Sequence, residues 1–256
     1  MVVTVHDLAW RRVPEAFPDR GRRWHQAPLA RAIKMAAALV APSEQTADDL
    51  VPAGALRDGV WVIEEGIDHL HSPDPDAGRK LLSHSGVEGR FVLAVGTIEP
   101  RKNLGRLLDA WRSAGPALGP DWRLVLAGPA GWGPGLPEVP GAVVAGNVSD
   151  AVLTFLYGAA SVVAYVPLTE GFGLPAVEAM DCGTPVVASP MPSTGGAAFV
   201  VDPLSVSSIS DGLVPVANRT ELRGRLLAGA AERVAQLSWT EAAARHVDLW
   251  NEVSRS

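Results

Sequence analysis

Two carboxylates flank a glycine-containing turn in one short segment of this chain. The segment runs Glu-Gly-Phe-Gly-Leu-Pro-Ala-Val-Glu from Glu170 to Glu178. Glycine lets a backbone approach a ligand closely, and Pro175 suits the first turn of a helix because its missing N–H needs no partner there. N–H groups at a helix start bind phosphate, and carboxylates bind hydroxyl groups. The segment therefore predicts a site for a ligand with phosphate and hydroxyls, such as a nucleotide sugar.

Two adjacent cations, Arg101 and Lys102, follow an apolar run that is typical of a buried strand. An arginine fork and a lysine point charge can together hold a diphosphate. Fixed cations stabilise a leaving diphosphate more strongly as its charge develops. A solvated turn is the alternative and would be favoured if the pair stood alone. If Arg101 and Lys102 lie at the same edge as Glu170, diphosphate binding is favoured over a solvated turn.

Apolar strands alternate with segments of helical periodicity, which predicts an α/β fold with a parallel sheet covered on both faces. Such sheets bind ligands at the carboxyl ends of their strands, so we expect Arg101, Lys102 and Glu170 to share one edge. A loop with short helical pieces is expected over residues 11–25, a linker or loop over residues 64–78, and a helix over residues 28–38. The predicted strands are residues 2–5, 39–41, 60–63, 91–96, 123–127, 142–145, 161–166, 185–188 and 198–201, and the predicted helix caps are Ser43, Asn103 and Ser149.

Composition excludes several classes of protein. A net charge of -6 argues against a broad nucleic-acid-binding surface. The single cysteine, Cys182, excludes an internal disulfide, fits a reducing compartment, and is interpreted as a small buried residue rather than a catalyst. No apolar run is long enough to span a bilayer, and the first residues do not resemble a signal peptide.

These features predict a cytoplasmic protein, with contact at the inner face of the membrane left open. A basic stretch could meet anionic lipid, although a solvated loop is an equal alternative. Its arginines are Arg11, Arg12, Arg20, Arg22 and Arg23.

Each acidic or histidine candidate has a second interpretation. Glu170 and Glu178 could be a loop acid and a helix acid near the positive end of the dipole, or a glycosidase pair. A glycosidase pair would leave Arg101 and Lys102 without a role. His6 could bond a sugar hydroxyl, although a structural histidine is favoured when it is taken alone. His69 and His71 are interpreted as exposed, and no cluster has metal-ligand spacing.

Five segments, together and in this order, resemble the family 4 glycosyltransferases, which are retaining enzymes with the GT-B fold. They are Val-Gly-Thr-Ile-Glu-Pro-Arg-Lys-Asn-Leu (95–104), Leu-Val-Leu-Ala-Gly (124–128), Gly-Asn-Val-Ser-Asp (146–150), Glu-Gly-Phe-Gly-Leu-Pro-Ala-Val-Glu-Ala-Met (170–180) and Cys-Gly-Thr-Pro-Val-Val-Ala-Ser (182–189). Residues 3–9 and 41–47 also match the end of that family's first domain.

The resemblance implies a metal-independent hexosyltransferase, either mannosyl or glucosyl, that needs no cofactor. Its donor is a nucleoside-diphosphate sugar, and its acceptor is a hydroxyl of a glycan, lipid or small molecule. The implied residue roles are diphosphate binding by Arg101 and Lys102, catalytic contact with the sugar by Glu170 and His6, contact with hydroxyls or phosphate by Gly171, Phe172, Gly173 and Leu174, ribose binding by Glu178, and flanking of the base by Asn147 and Val148.

The resemblance also implies a domain plan: one complete Rossmann-like domain and the end of a second. Residues 1–60 would be the remnant of the acceptor-side domain, 61–240 the donor domain, and 241–256 a helix returning toward the first. About a hundred residues would be missing at the N-terminus, judged by ordinary domain size. The alternative hypothesis is a non-catalytic nucleotide-binding fragment, or half of a split enzyme.

Three details complete the comparison with the family. The loop over residues 189–196, which lies beside the donor site in the family, is shorter than usual and lacks the family's acidic residue. Glu65 stands where proline is frequent and is interpreted as unimportant. A phosphorylase-like enzyme of the same fold would need a lysine that holds pyridoxal phosphate, and no segment suggests one.

Overall fold

The computed structural model of the chain describes residues 1–255 and shows two parallel β-sheets in that range. The smaller sheet has the order β1-β2-β3 and the larger has the order β6-β5-β4-β7-β8-β9. The strands are β1 (Val2–Thr4), β2 (Ala38–Ala41), β3 (Val60–Val62), β4 (Phe91–Val95), β5 (Arg123–Ala127), β6 (Ala142–Gly146), β7 (Val162–Tyr165), β8 (Val186–Ala188) and β9 (Phe199–Val200). The helices are α1 (Ala9–Arg12), α2 (Asp19–Met35), α3 (Glu44–Leu50), α4 (Pro75–His84), α5 (Leu104–Leu118), α6 (Asp150–Ala159), α7 (Leu174–Asp181), α8 (Val206–Asn218), α9 (Thr220–Val234) and α10 (Trp239–Arg255).

The larger sheet is covered on both faces, as its continuous apolar strands predict. Side chains of β4 alternate between two hydrophobic clusters, since successive strand residues point to opposite faces. Leu93 packs in the cluster that includes residues of α6, α7 and α9. Its neighbour Val92 packs in the cluster that includes residues of α5 and α8. The prediction of an α/β fold with a doubly covered parallel sheet is confirmed.

The last helix lies against the smaller sheet. Ala242 and Leu249 of α10 pack in one cluster with Val40 and Ile63. The guanidinium of Arg245 donates to the Val62 carbonyl oxygen at 2.7 Å. The smaller sheet includes β3 as far as Val62, and the final helix begins at Trp239.

Two helices extend into segments that the sequence predicts to be loops. Helix α2 begins at Asp19 rather than Pro28. Residues 20–27 include several good helix formers, which extend the helix on the N-terminal side of the proline. Helix α4 occupies part of the predicted loop over residues 64–78. Its start carries a recognisable signal, since the Asp74 carboxylate accepts from the Ala77 N–H at 3.0 Å and Pro75 follows it.

The predicted caps are confirmed at Ser43 and Ser149, whereas Asn103 stands at the predicted N-cap position of α5 but makes no side-chain cap. The Ser43 hydroxyl accepts from the Thr46 N–H at 3.1 Å, and Ser149 serves α6 in the same way. Asn103 instead takes a left-handed backbone conformation, with φ of 59°. Asparagine tolerates that region better than most residues. Its side-chain amide donates to the carbonyls of Val166 and Pro203 and so joins two loops of the larger sheet.

Ser43 has a second role beyond capping α3. Its hydroxyl donates to the carbonyl oxygen of Gly171 at 2.6 Å, and the side chain is buried. Ser205 caps α8 by accepting from the Ser208 N–H at 3.1 Å, and its other hydroxyl contact is with the exposed Ser207. A comparison of the two serines therefore separates the effect of capping a helix from the effect of the Ser43–Gly171 hydrogen bond.

We predict that Ser43→Ala lowers the free energy of unfolding by about 2 kcal/mol and Ser205→Ala by about 1 kcal/mol, because only Ser43 also donates to a buried carbonyl, that of Gly171, which would keep only the longer 3.3 Å bond from the Thr46 hydroxyl. Urea unfolding followed by circular dichroism measures both. Equal losses for the two variants would show that the Ser43–Gly171 bond contributes nothing beyond the cap.

Candidate active site

Three charged side chains meet at the carboxyl edge of the larger sheet. Arg101 and Lys102 lie in the 3₁₀ turn Pro100–Lys102 after β4, and Glu170 lies in the loop after β7. Strands β4 and β7 are adjacent and parallel. Both the Arg101 guanidinium and the Lys102 ammonium lie 2.7 Å from Oε1 of Glu170. The expectation that the two groups share one edge is confirmed.

A tyrosine that the sequence analysis missed completes this cluster. The hydroxyl of Tyr165, at the end of β7, donates to Oε1 of Glu170 at 2.9 Å and accepts from Lys102 Nζ at 2.9 Å. Its ring is buried, and a phenol at the end of an apolar strand was the available signal. Three donors therefore converge on one carboxylate oxygen. Within residues 1–255, no donor bonds the other oxygen, Oε2.

The electrostatics of the cluster keep Glu170 ionised. Burial of the Glu170 carboxyl favours its neutral form, but the charges of Lys102 and Arg101 outweigh that effect and hold its pKa below the usual range. Burial, reinforced by the charge of Glu170, raises the pKa of Tyr165 well above its ordinary value. Tyr165 is thus a neutral donor and Glu170 a weakly basic acceptor.

A second buried acid, Glu99, orients Arg101 from the other side. Its Oε1 accepts from Arg101 Nε at 3.0 Å and lies 2.9 Å from Nη2 of the same guanidinium. Burial tends to lower the pKa of Arg101, but the charges of Glu170 and Glu99 raise it overall. Two cations and two anions therefore balance within the cluster. Sequence analysis did not single out Glu99, although it lies in the same turn as the cations.

Glu178 lies one turn inside α7, as predicted, and both of its oxygens have protein donors. The buried Tyr157 hydroxyl donates to Oε2 at 2.7 Å. Nε2 of His69 lies 3.0 Å from Oε1. His69 is exposed, as predicted, yet it has a protein partner, because this loop residue far away in sequence bonds the Glu178 carboxylate.

His6 pairs with Glu65, so the interpretation of Glu65 as unimportant is wrong. Nδ1 of His6 lies 3.0 Å from Oε1 of Glu65. The hydrogen bond with Glu65 is the largest effect on the pKa of His6 and raises it, although partial burial opposes the rise. The His6 side chain is 72% exposed and so remains open to a ligand.

The loop that carries Glu170 touches the smaller sheet through its backbone. A Cβ on Gly171 would lie 1.8 Å from the His6 carbonyl oxygen, so only glycine fits there. Gln45 donates its side-chain amide to the Glu170 carbonyl at 3.0 Å. These contacts place His6 beside the Glu170 loop, with the two residues contributed by different sheets.

The other predicted donor-site residues have different surroundings. The Phe172 side chain is buried in the core, so only its backbone is available to a ligand. Gly173 has φ of 101° and Leu174 begins α7. Asn147 is exposed and Val148 is half-buried after β6, two strands away from β4. No hydrogen bond joins Asn147 or Val148 to the charged cluster within the described part of the chain, and their contact with a base stays a prediction.

The described part of the chain offers no metal-ligand cluster, no reactive thiol and no helix that could span a membrane. No three His, Cys, Asp or Glu side chains of residues 1–255 are grouped as metal ligands. Burial raises the pKa of Cys182 to about 11, so this thiol is protonated at neutral pH and is a poor nucleophile. No helix in that range is long and apolar enough to cross a membrane.

The basic stretch is partly neutralised by its own neighbours. Arg12 pairs with Asp49 at 2.6 Å and Arg22 pairs with Asp19. The contact of this stretch with anionic lipid stays a prediction.

Comparison with known proteins identifies the family. Residues 89–221, more than half of the chain, match the family described as glycosyl transferases group 1. Residues 1–70 match glycosyltransferase family 4. The chain belongs to the group 1 glycosyl transferases. This family assignment confirms the resemblance that the motifs carry.

Curated relatives of this glycosyltransferase chain include two named enzymes. O-antigen chain mannosyltransferase B of Escherichia coli is 26% identical over 97% of the chain and 69% of that protein. D-inositol 3-phosphate glycosyltransferase of Xylanimonas cellulosilytica is 31% identical over 85% of the chain and 57% of that protein. The chain therefore spans between about half and about two thirds of the length of the relatives it matches.

Solved structures confirm the GT-B fold of this glycosyltransferase chain. Anabaena HepE in complex with UDP and glucose superposes with a TM-score of 0.76 at 22% identity, over 100% of this chain and 71% of HepE. WaaG, a glycosyltransferase involved in lipopolysaccharide biosynthesis, superposes with a TM-score of 0.74 at 16% identity, over 97% of this chain and 74% of WaaG.

We predict that Glu65→Gln returns the pKa of His6 toward 6.5, because it removes the charged hydrogen-bond partner. The raised pKa means that protonated His6 stabilises the folded chain below pH 6.5, and this stabilisation is lost as the pH rises through the raised value. An NMR titration of the His6 ring, assigned with His6→Ala, measures the shift.

The matched control for this titration is Glu64→Gln. Glu64 is the neighbouring acid but pairs with Arg233 at 2.6 Å instead of with His6. If Glu64→Gln moved the His6 titration as far as Glu65→Gln does, the specific pairing would be refuted.

Proposed function

We propose that this chain supplies the donor site of a retaining glycosyltransferase, which moves a hexose from a nucleoside-diphosphate sugar to a hydroxyl acceptor. The convergence of Arg101, Lys102 and Glu170 at one sheet edge carries the proposal. The relatives support the sugar class, since one is named a mannosyltransferase and HepE was solved with UDP-glucose. The acceptor is a hydroxyl of a glycan, a lipid or a small molecule.

Arg101 and Lys102 bind the diphosphate in this proposal. Lys102 uses two of its three N–H donors on Tyr165 and Glu170, which leaves one for a phosphate oxygen. Glu99 holds the Arg101 guanidinium in a fixed orientation. Cations that are already oriented stabilise the charge of the departing diphosphate without having to reorganise. These two residues supply charge that a divalent metal supplies elsewhere, so the reaction proposed here uses neither metal nor cofactor.

Glu170 contacts the transferred sugar through its free oxygen, Oε2. A carboxylate held by two cations and a phenol is a weak base, and a weak base is a poor nucleophile and a poor proton acceptor. This supports a role in binding sugar hydroxyls and stabilising positive charge rather than covalent attack. Retention then follows from attack on the same face as the departing phosphate, which takes the acceptor's proton. His6, beside this loop, bonds the sugar from the opposite sheet.

The start of α7 and Glu178 bind the rest of the donor. The first N–H groups of a helix have no partners within it and attract phosphate oxygens, so the backbone from Gly171 to Leu174 faces the diphosphate or the sugar hydroxyls. Glu178 accepts the ribose hydroxyls. Asn147 and Val148, at the same sheet edge beyond β5, flank the base.

We predict that the chain binds one of UDP, GDP or ADP in calorimetry, that a metal chelator does not change the affinity, and that Lys102→Ala weakens binding by about a hundredfold because it removes a charged phosphate contact. Lys80→Ala, which removes an exposed lysine of α4, is the matched control and should bind normally. A folded wild-type chain that binds none of the three nucleotides would overturn the donor-site proposal.

We predict that Glu170→Gln lowers glycosyl transfer by about a hundredfold or more, because it loses charge next to the reacting sugar, while nucleoside-diphosphate binding changes little. Turnover is measured with UDP-glucose and GDP-mannose, using HPLC for nucleotide release and NMR for the anomer of the glycoside formed. A product of inverted configuration would refute the retaining mechanism. Nucleotide binding without any transfer would favour the alternative, a non-catalytic nucleotide-binding fragment or half of a split enzyme.

A further inference from the structure

The carboxylate of Glu178 has acceptor capacity beyond the two hydrogen bonds that it receives from the protein. A carboxylate has about four acceptor positions, two on each oxygen. Tyr157 occupies one position on Oε2 and His69 occupies one on Oε1. The Glu178 side chain is 12% exposed, so part of it faces solvent. Counting the donors of residues 1–255, one acceptor position is thus left on each oxygen, and this number matches the two neighbouring hydroxyls of a ribose.

The tautomer of His69 is set by a tryptophan on the last helix. The indole Nε1 of Trp239 lies 3.0 Å from Nδ1 of His69. An indole N–H can only donate, so Nδ1 of His69 accepts and carries no proton. The proton of a neutral ring is therefore on Nε2, where it donates to Glu178. Trp239 therefore donates to His69, and His69 in turn donates to the Glu178 carboxylate.

Backbone contacts fix Trp239 in the position from which its indole N–H reaches His69. Its N–H donates to the Asp68 carboxylate at 2.7 Å. A Cβ on Gly66 would lie 2.0 Å from the Trp239 backbone nitrogen, so the two segments approach as closely as glycine allows. The indole and imidazole rings meet edge to face, with centroids 6.1 Å apart. His69 and Trp239 thus come from two segments that are held against each other.

We propose that His69, oriented by Trp239, is the positioning residue that directs the Glu178 carboxylate toward the 2′- and 3′-hydroxyls of the donor ribose. This inference rests on the proposed function, because it assumes a nucleoside diphosphate in the site. Without His69, one oxygen of Glu178 loses its protein donor and the carboxylate can rotate. The pair of acceptors would then no longer match two neighbouring hydroxyls at once.

The test compares His69→Ala with the wild-type chain, using calorimetry with UDP and GDP and with 2′,3′-dideoxy-UDP and 2′,3′-dideoxy-GDP. We expect His69→Ala to weaken binding of the ribonucleotide by about tenfold and binding of the dideoxynucleotide by less than about twofold. A purely structural role would weaken both ligands equally. Equal losses would therefore overturn the proposal even if the fold were intact.

A matched control lies on the same helix. His246 and Trp250 of α10 also meet edge to face with centroids 6.1 Å apart, but His246 bonds the Ala242 carbonyl rather than Glu178. We expect His246→Ala to bind both kinds of nucleotide like the wild type. A ribose-selective loss in His246→Ala would overturn the proposal.

The role of Trp239 is tested with Trp239→Phe, which keeps an aromatic ring and removes the N–H. We expect a smaller ribose-selective loss, because His69 stays but its tautomer is no longer fixed. Wild-type discrimination between the ribonucleotide and the dideoxynucleotide in this variant would refute the donor order from Trp239 to Glu178.

Failure of this inference is distinguishable from failure of the proposed function. A wild-type chain that binds neither UDP nor GDP would refute both. A wild-type chain that binds one of them with no preference over its dideoxy counterpart would refute the ribose inference and leave the diphosphate site in place.

Discussion

One carboxylate oxygen joins the two loops on which the site is built. Oε1 of Glu170 receives Lys102 and Arg101 from the turn after β4 and Tyr165 from the end of β7. Charges removed from water are expensive unless they are paired, and losing one partner leaves the other uncompensated. The positions of Glu99 and Tyr165 follow from this constraint, because each satisfies a group that would otherwise be buried with too few partners.

The same constraint explains how the smaller sheet takes part in the site. The loop that carries Glu170 turns the backbone carbonyls of Glu170 and Gly171 toward the smaller sheet, where they need hydrogen-bond donors. Ser43 and Gln45 at the start of α3 provide them. Gly171 lacks a side chain, which lets the His6 backbone lie directly against the loop. The site is therefore assembled at the contact between two sheets rather than within one.

Local sequence signals predicted the elements and the charged groups but not the pairings between distant residues. The strands of the larger sheet, the serine caps and the shared edge of Arg101 and Glu170 all follow from patterns within a few residues of one another. The bonds of Glu65 with His6 and of His69 with Glu178 join residues 59 and 109 positions apart, so no local pattern contains them. Asn103 does not cap α5 with its side chain, because its backbone is left-handed and its Oδ1 accepts from Arg106 instead.

The close approach of Gly66 to Trp239 has a mechanical consequence. The chain passes from the smaller sheet to the larger one near residue 66 and returns near residue 239, and these two crossings lie side by side. Any rotation of one sheet relative to the other must therefore bend both of these connecting segments together. Since His69 bonds both Trp239 and Glu178, the direction of the Glu178 carboxylate is tied to the place where these two crossings meet.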